Sequence, residues 1–398
     1  MQKDFHYYAT YCAARLAGYS HEEGIEICYS AQLVDWCTRT LLRRLGAPLS
    51  AATTQLQLEL MDARTDLVGL QDITRIWASF HFLPRDLYAE KKHCSRRYRN
   101  KYRLICGPNG ALVKDTVELA KQAGTLQAAG LAMHVLADTW AHQHFAGTPS
   151  LVINNTDYHF TELLPDGRGG WRERSVQFIH SPSKPDDLAN GIYTSSVHHS
   201  SENSIMNLGH GRAGHLPDYS FIRYKYLPAW GEYNEILKDN PADYYRAFFQ
   251  MVYALKYLRG YYPTFQTNTY DEQSAKMCGK TVWAILRKPQ LDASEDWASL
   301  CRILSRQEIP DFDLYQHQGA YMGAPRDRKD DTFMGRFLLA ALAQKSMVTN
   351  KIYTSGNPLA GFSVDYQKKG FRGIRDYAKL VELARKKNET RKGGRNNG

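Results

Sequence analysis

The chain has 398 residues and a formal net charge of +10, and 43% of its residues are hydrophobic, which is typical of a folded protein rather than a fibrous or disordered one. No apolar run reaches the roughly 18 residues that a membrane-spanning helix needs. The opening sequence MQKDFH lacks the apolar region of a cleaved leader. We therefore expect a cytoplasmic protein, for which export would require a leaderless route.

Two basic segments together carry more positive charge than the net charge of the whole chain. Residues 85–103 have a net charge of +6 and residues 367–398 one of +8, so the rest of the chain carries −4. Basic segments favour anionic partners such as nucleic acid, anionic lipid headgroups or acidic proteins. The alternative is a solvated helix face in the first segment and a frayed tail in the second.

The first 144 residues are predicted to be helical. Apolar residues over 5–16 recur at spacings of three and four, and Gly18 can end that helix. Ser20 and Glu23 have the spacing of a capping box, which predicts a second helix that runs to about Leu45. Further helices are predicted over 52–63, 69–82 and 112–144.

Residues 145–230 are rich in Gly, Pro, Ser, Asn and Asp, which predicts an ordered but irregular segment with short strands around 151–179. Helices are predicted again over 241–259, 271–287, 293–306, 331–347 and 371–387. The predicted fold class is all-α, a multi-helix bundle in one domain (1–366) with a helical core (1–144), the loop-rich segment and further helices (231–366). A basic helix and a disordered tail would follow over 367–398.

The histidines are concentrated in the first half of the chain, where 13 of the 14 lie at or before residue 215. The clearest motif is HVLADTWAH, in which four-residue spacings advance about 40° each around a helix. His134, Asp138 and His142 therefore share one helix face and can converge on one or two cations. The alternative is a core histidine paired with Asp138, but three such groups on an apolar helix would be costly to bury without a further partner.

Three more polar residues lie inside apolar stretches, namely His6, Asp35 and His81. Each alone is more often a core polar group with its hydrogen bonds satisfied. Together they supply what a multinuclear metal site needs, because several helices would each contribute one imidazole or carboxylate.

The segment GHGRAGHLPD (209–218) brings His210, His215 and Asp218 together on a glycine-rich backbone. Two histidines five residues apart on such a backbone favour a loop bent around a metal ion. Arg212, which lies between them, could bind a phosphate group. The alternative is a tight turn with exposed histidines.

Four motifs resemble an uncharacterised bacterial family that is described only as a domain of unknown function: DFHYYAT (4–10), FHFLP (80–84), HVLADTWAHQ (134–143) and GHGRAGHLPD (209–218). The order of the histidines and aspartates is also similar to the superfamily of zinc-dependent phospholipases C and single-strand-specific zinc nucleases. That second resemblance implies an all-helical fold around a trinuclear zinc cluster.

The superfamily resemblance also implies a role for each ligand. Asp35, His81, His134 and Asp138 would hold one zinc ion, Asp138 would bridge to a second ion that His6 helps to bind, and His142 would hold a third with His210 or His215 and with Asp218. In the superfamily a mature N-terminal amine is a ligand, and Asp4 is the candidate to replace it here. The glycine-rich loop stands where the superfamily has a helical HxxxE pair.

These observations predict a metal-dependent hydrolase of phosphate esters, either phospholipase C-like or nuclease-like, with two or three zinc ions. Asp35 and Asp138 are the predicted catalytic residues, and Asp35 would orient the attacking water. Arg212 would contact the substrate, which could be a nucleic acid or a phospholipid headgroup. The alternatives are a non-catalytic, metal-stabilised scaffold and a nucleic-acid-binding protein, both engaging polyanions through the basic segments. Manganese and iron accept the same ligands as zinc.

Overall fold

Helices make up most of the chain. The computed structural model describes residues 1–63, 65–154, 159–180, 183–195 and 211–361. A π-helix (Asp4–Ala9) runs directly into the first α-helix. The described α-helices are α1 (Thr10–Leu16), α2 (His21–Leu33), α3 (Arg39–Leu45), α4 (Gln57–Ala63), α5 (Leu67–Phe80), α6 (Arg96–Tyr102), α7 (Ala111–Ala123), α8 (Leu126–Ala141), α9 (Leu151–Asn154), α10 (Asn240–Leu258), α11 (Glu272–Arg287), α12 (Ser294–Ser305), α13 (Leu314–Gly323) and α14 (Phe333–Thr354).

The chain also contains a small sheet, so the all-α prediction is wrong in that respect. A four-stranded antiparallel sheet has the order β2-β1-β5-β6, and β3 and β4 form a separate parallel pair. Tyr224 and Tyr226 are buried, whereas the residues between and before them are partly exposed. This alternation covers only four residues, which is too short to predict a strand securely. The strands are β1 (Thr161–Pro165), β2 (Trp171–Ser175), β3 (Gln177–Ile179), β4 (Ile192–Thr194), β5 (Arg223–Tyr226) and β6 (Ile236–Asp239).

The start of α2 agrees with its predicted capping box. Ser20 Oγ accepts a hydrogen bond from the Glu23 backbone N–H at 3.1 Å, and the Glu23 carboxylate accepts one from the Ser20 N–H at 2.7 Å. The predicted end was wrong, because α2 stops at Leu33 and Thr38 caps a new helix, α3. Asp35 lies in the turn between the two helices, which frees its side chain from the helix periodicity.

Helix α8 lies at the centre of the larger core. Residues 127–141 are all buried, and the helix contacts α2, α5, α7, α10 and α14. It approaches α2 tightly at Gly130, where an added Cβ would lie 2.1 Å from the carbonyl oxygen of Ile27. This contact brings the carbonyls at the end of α2 against the polar face of α8.

A second apolar cluster joins the sheet to the ends of α5 and α8. Phe145 stacks on Tyr226 with ring centroids 5.7 Å apart. The turn that follows residue 211 is held over α8 by α10, since Asn240 Nδ2 donates hydrogen bonds to the carbonyls of Leu216 and Tyr219, both at 2.8 Å. The sheet and α10 therefore fix the position of the late polar residues.

Several predictions fall outside the described residues: His210, the helix over 371–387 and the basic tail over 367–398. None of the described helices combines the length and the apolarity that a bilayer-spanning segment requires. All seven cysteines are described, and all have free thiols.

Candidate metal centre

Five predicted ligands from four parts of the chain meet beside α8. His6 lies in the π-helix, Asp35 in the turn after α2, His81 just past the end of α5, and His134 and Asp138 one turn apart on α8. Two groups of them have ligand atoms that all lie within 4.8 Å of one another: His81, His134 and Asp138 in one, and His6, Asp35 and His134 in the other. Either group could hold a metal ion.

Four ligand atoms form a compact set. His81 Nδ1, His134 Nε2 and Asp138 Oδ2 lie 3.1–3.3 Å from one another. Asp35 Oδ1 lies 3.9 Å from the His81 nitrogen and 3.8 Å from the His134 nitrogen. Zinc bonds of about 2.0–2.1 Å in tetrahedral geometry separate neighbouring ligand atoms by about 3.3–3.4 Å. The set therefore has the dimensions of a four-ligand zinc site.

Backbone carbonyls fix which ring nitrogens face this set. His134 Nδ1 lies 2.9 Å from the carbonyl of Ala31, and His81 Nε2 lies 3.1 Å from the carbonyl of Thr53. A carbonyl can only accept, so each of these nitrogens carries a hydrogen, and in the neutral form of each ring the other nitrogen has the lone pair. Such backbone contacts are typical of histidines that bind metals.

The remaining ring nitrogens consequently face each other without a hydrogen between them. His134 Nε2 and His81 Nδ1 are 3.3 Å apart, and both point lone pairs towards two carboxylates. A bound cation would relieve this arrangement. Burial lowers the pKa of His81, which disfavours a proton as that cation.

His6 provides an independent test of whether the residues fit a metal. Its ring is fully buried and stacks on His134 with centroids 3.7 Å apart. Nε2 lies 3.1 Å from Asp138 Oδ1, yet neither ring nitrogen makes a hydrogen bond of acceptable geometry to a described residue. Burial, with the neighbouring His134, lowers the pKa of His6 to about 4. A buried neutral imidazole of this kind costs free energy unless something else binds it.

The amino group of Met1 forms the other side of the centre. Its nitrogen lies 3.2 Å from Asp138 Oδ1, 3.1 Å from Asp218 Oδ1 and 3.3 Å from His142 Nε2. Burial alone would lower the pKa of this amine, but the carboxylates of Asp138, Asp218 and Asp35 raise it to about 11. The amine is therefore a buried cation next to Asp138.

Asp138 is ionised despite complete burial. Burial would raise its pKa, but the electrostatic effect of His142, the Met1 amine, His134 and His6 holds the pKa well below the usual range for a carboxyl. Its two oxygens face different groups, since Oδ2 faces His81 and His134 while Oδ1 faces His6 and the amine.

The other predicted ligands are placed differently. His142 Nδ1 is held by the carbonyl of His81 at 2.7 Å, and its Nε2 faces the Met1 amine and Asp218. His215 Nδ1 is hydrogen-bonded to Asp186 at 2.9 Å. Arg212 is buried in the same turn. Asp4 does not replace the amine, because its carboxylate accepts hydrogen bonds from the backbone N–H groups of Phe5 and Ala293 at 2.7 and 3.3 Å.

Sequence reasoning missed the Met1 amine and Asp186. No local pattern marks Asp186, which lies in a KPDD turn that is typical of a surface loop. Its role depends on Tyr219 and His215, more than 25 residues later in the chain. The superfamily resemblance pointed to an N-terminal amine, but the prediction replaced it with Asp4.

Fold and site together define a predominantly helical protein with a buried histidine–aspartate centre that could hold a metal ion. The chain belongs to a family of unknown function, DUF6765, whose sequence model matches residues 1–352. This confirms the resemblance to an uncharacterised family. No curated protein and no solved structure matches the chain.

Proposed function

We propose that this protein is a metal-dependent hydrolase of phosphate esters, and that Asp35, His81, His134 and Asp138 hold a zinc ion. One observation carries the proposal. Two lone-pair nitrogens, on His81 and His134, lie 3.3 Å apart in a buried site that also contains two carboxylates. His/Asp ligation of this kind suits zinc, and the resemblance to the zinc phospholipase and nuclease superfamily supports the same choice.

A second ion would lie on the other side of Asp138. Oδ1 of this carboxylate faces His6 Nε2 at 3.1 Å, and His6 offers a nitrogen that makes no hydrogen bond to a described residue. Asp138 would then bridge the two ions through its two oxygens. We take these five residues as the proposed ligand set.

The protein side of the chemistry follows from exposure and charge. A bound zinc ion acts as a Lewis acid and lowers the pKa of water to about 7. Asp35 is 29% exposed at its side chain, whereas the other four ligands are at most 5% exposed, so Asp35 is the proposed ligand that solvent water reaches most readily. Asp35 would orient the attacking water.

The test combines metal content with hydrolysis. Protein purified without a metal-affinity column is analysed for metals and assayed with bis(4-nitrophenyl) phosphate, a thymidine dinucleotide and glycerophosphocholine. We expect one or two equivalents of zinc per chain and hydrolysis of at least one diester. The double variant His134→Ala/Asp138→Ala should lose both, whereas the exposed control His93→Asn should keep both. A folded wild-type protein that neither contains zinc nor takes it up would contradict the proposal.

A second candidate function is a metal-stabilised scaffold, and the deep burial of four of the five ligands favours it. A structural metal contributes directly to the free energy of folding. Chelation would then lower the free energy of unfolding of a protein that hydrolyses no phosphate ester when loaded with zinc. Hydrolysis that chelation abolishes and zinc restores would exclude this alternative.

A further inference from the structure

A hydrogen-bonded histidine–aspartate pair lies at the edge of the centre, outside the proposed ligand set. His215 Nδ1 donates to Asp186 Oδ2 at 2.9 Å. The Tyr219 hydroxyl donates to the same oxygen at 2.8 Å, and the Thr194 backbone N–H donates to Asp186 Oδ1 at 2.6 Å. Three donors, one at the end of β4 and two in the turn that carries His215, therefore hold one carboxylate.

Asp186 is an ionised, fixed acceptor. Its side chain is 1% exposed. Burial would raise the pKa of Asp186, but the hydrogen bonds from His215, Thr194 and Tyr219 lower it. Burial and the neighbouring Asp186 raise the pKa of Tyr219, so the hydroxyl keeps its hydrogen and remains a donor.

The turn that carries His215 packs tightly on β4. Gly214 has φ of +54°, and a Cβ at this position would lie 2.2 Å from the carbonyl oxygen of Thr194. The turn thus needs a glycine, which allows His215 to reach Asp186. The imidazole itself is 47% exposed, and Nε2 has no hydrogen-bond partner among the described residues.

The pair is next to the centre without touching a proposed ligand. The His215 carbonyl accepts a hydrogen bond from the backbone N–H of Asp218 at 2.9 Å. Asp218 in turn contacts the Met1 amine at 3.1 Å, and the amine contacts Asp138 at 3.2 Å. The turn that carries the exposed imidazole is therefore linked to Asp138 through Asp218 and the Met1 amine.

We propose that His215 is the proton donor to the leaving oxygen in phosphate-ester hydrolysis and that Asp186 is its positioning residue, an inference that rests on the proposed function. Water forms the new P–O bond, and the bond from phosphorus to the leaving oxygen breaks. The proton of His215 Nε2 moves to that oxygen, so the product leaves as an alcohol. The neutral His215 then takes up a proton from solvent. This uptake balances the proton that the attacking water released.

The charges around His215 favour its protonated form. The hydrogen bond to Asp186 raises the pKa of His215, and the charges of Asp218 and Asp186 raise it further. Burial and the Met1 amine oppose this rise. Tyr219, which also lies against the His215 ring, is neutral. The net effect is a larger imidazolium population near neutral pH, which suits a proton donor.

The test uses the dependence on leaving group. Nitrophenolate departs without a proton, so His215→Asn should reduce hydrolysis of bis(4-nitrophenyl) phosphate by less than about tenfold. The same variant should reduce hydrolysis of the fastest diester with an alkoxide leaving group by about 10²–10⁴-fold. The zinc content of His215→Asn should equal that of the wild type. The control variants His93→Asn and Asp187→Asn should match the wild type on both substrates.

A second measurement does not depend on activity. The pKa of His215, followed by NMR of its ring protons in the zinc-loaded protein, should fall in Asp186→Asn, and the basic limb of the pH–rate profile should move to lower pH with it. An unchanged pKa overturns the role of Asp186. Equal losses on the two substrates, or none, overturn the role of His215 alone. A zinc-loaded wild type that hydrolyses no diester overturns the proposed function, and the role of His215 falls with it.

Discussion

At the scale of single residues, the fully buried His6 should make the metal-free protein sensitive to acid. Its folded-state pKa of about 4 lies below the ordinary value of 6.5, so the unfolded chain binds more protons between these values. The free energy of unfolding should therefore fall as pH drops through this range, by about 3 kcal/mol at pH 4. Urea unfolding of chelated protein at pH 7.5 and pH 4 measures the loss.

The variant His6→Asn isolates this contribution. It should lose about 3 kcal/mol less than the wild type over the same pH range, because the titrating ring is gone. His93→Asn, which changes an exposed histidine, should behave like the wild type. Equal pH dependence in wild type and His6→Asn would show that His6 is not held neutral in the folded protein.

The sequence identified most of the candidate ligands for a physical reason. His134 and Asp138 are ordered by helix periodicity, and His6, Asp35 and His81 stand out as polar residues in apolar surroundings. Asp186 and the Met1 amine carry no such local signal. Their partners lie in segments that are distant along the chain. The residues next to Asp186 or Met1 in the sequence therefore give no indication of these contacts.

At the scale of elements, the close crossing of α8 over α2 positions the centre. Gly130→Ala would place a methyl group 2.1 Å from the Ile27 carbonyl and force the two helices apart. We expect a loss of about 1–3 kcal/mol in the free energy of unfolding. Zinc affinity should fall as well, because His134 lies one turn along the same face and is held by Ala31 of α2.

Gly319→Ala is the matched control for this change. Gly319 also lies inside a helix, α13, but nothing lies within 4 Å of an added Cβ. This variant should be neutral or more stable by up to about 1 kcal/mol and should keep its zinc. If both variants bind zinc like the wild type, the α2–α8 contact does not set the geometry of the centre.

The elements also show where prediction from sequence fails. The capping residues Ser20 and Glu23 are local signals and located the start of α2 correctly. The end of α2 was missed because residues 34–37 are compatible with a continuous helix, and only tertiary packing produces the turn that holds Asp35. Strands β1, β2 and β3 lie in the range where short strands were predicted, whereas β4, β5 and β6 were missed because each is only three or four residues long.

At the scale of the whole molecule, the basic tail is predicted to act in polyanion binding and not in folding. The family match ends at residue 352, and removal of residues 367–398 lowers the formal charge from +10 to +2. A chain cut after Tyr366 should keep its zinc and its thermal unfolding midpoint. It should bind heparin or oligothymidylate more weakly, with a shallower dependence on salt.

A charge variant separates length from charge in this experiment. Replacement of the 11 Lys and Arg residues of 367–398 by Gln keeps the chain length and should reproduce the weaker binding. Loss of the folded state on truncation would mean that the tail belongs to the core. Unchanged polyanion affinity would leave residues 85–103 as the binding segment.

The order of the centre's residues along the chain has a consequence for how the protein is made. The five proposed ligands are complete at Asp138, whereas His215 follows 77 residues later, a delay of about 4–15 s at about 5–20 residues per second of synthesis. Helices α10 and α14, which cover α8, are made later still. If the proposed ligand set holds a metal ion, a nascent chain would capture it while the ligands are open to solvent, and closure of the core would then trap it. Exchange of that ion in the finished protein would be limited by the rate at which the helices open.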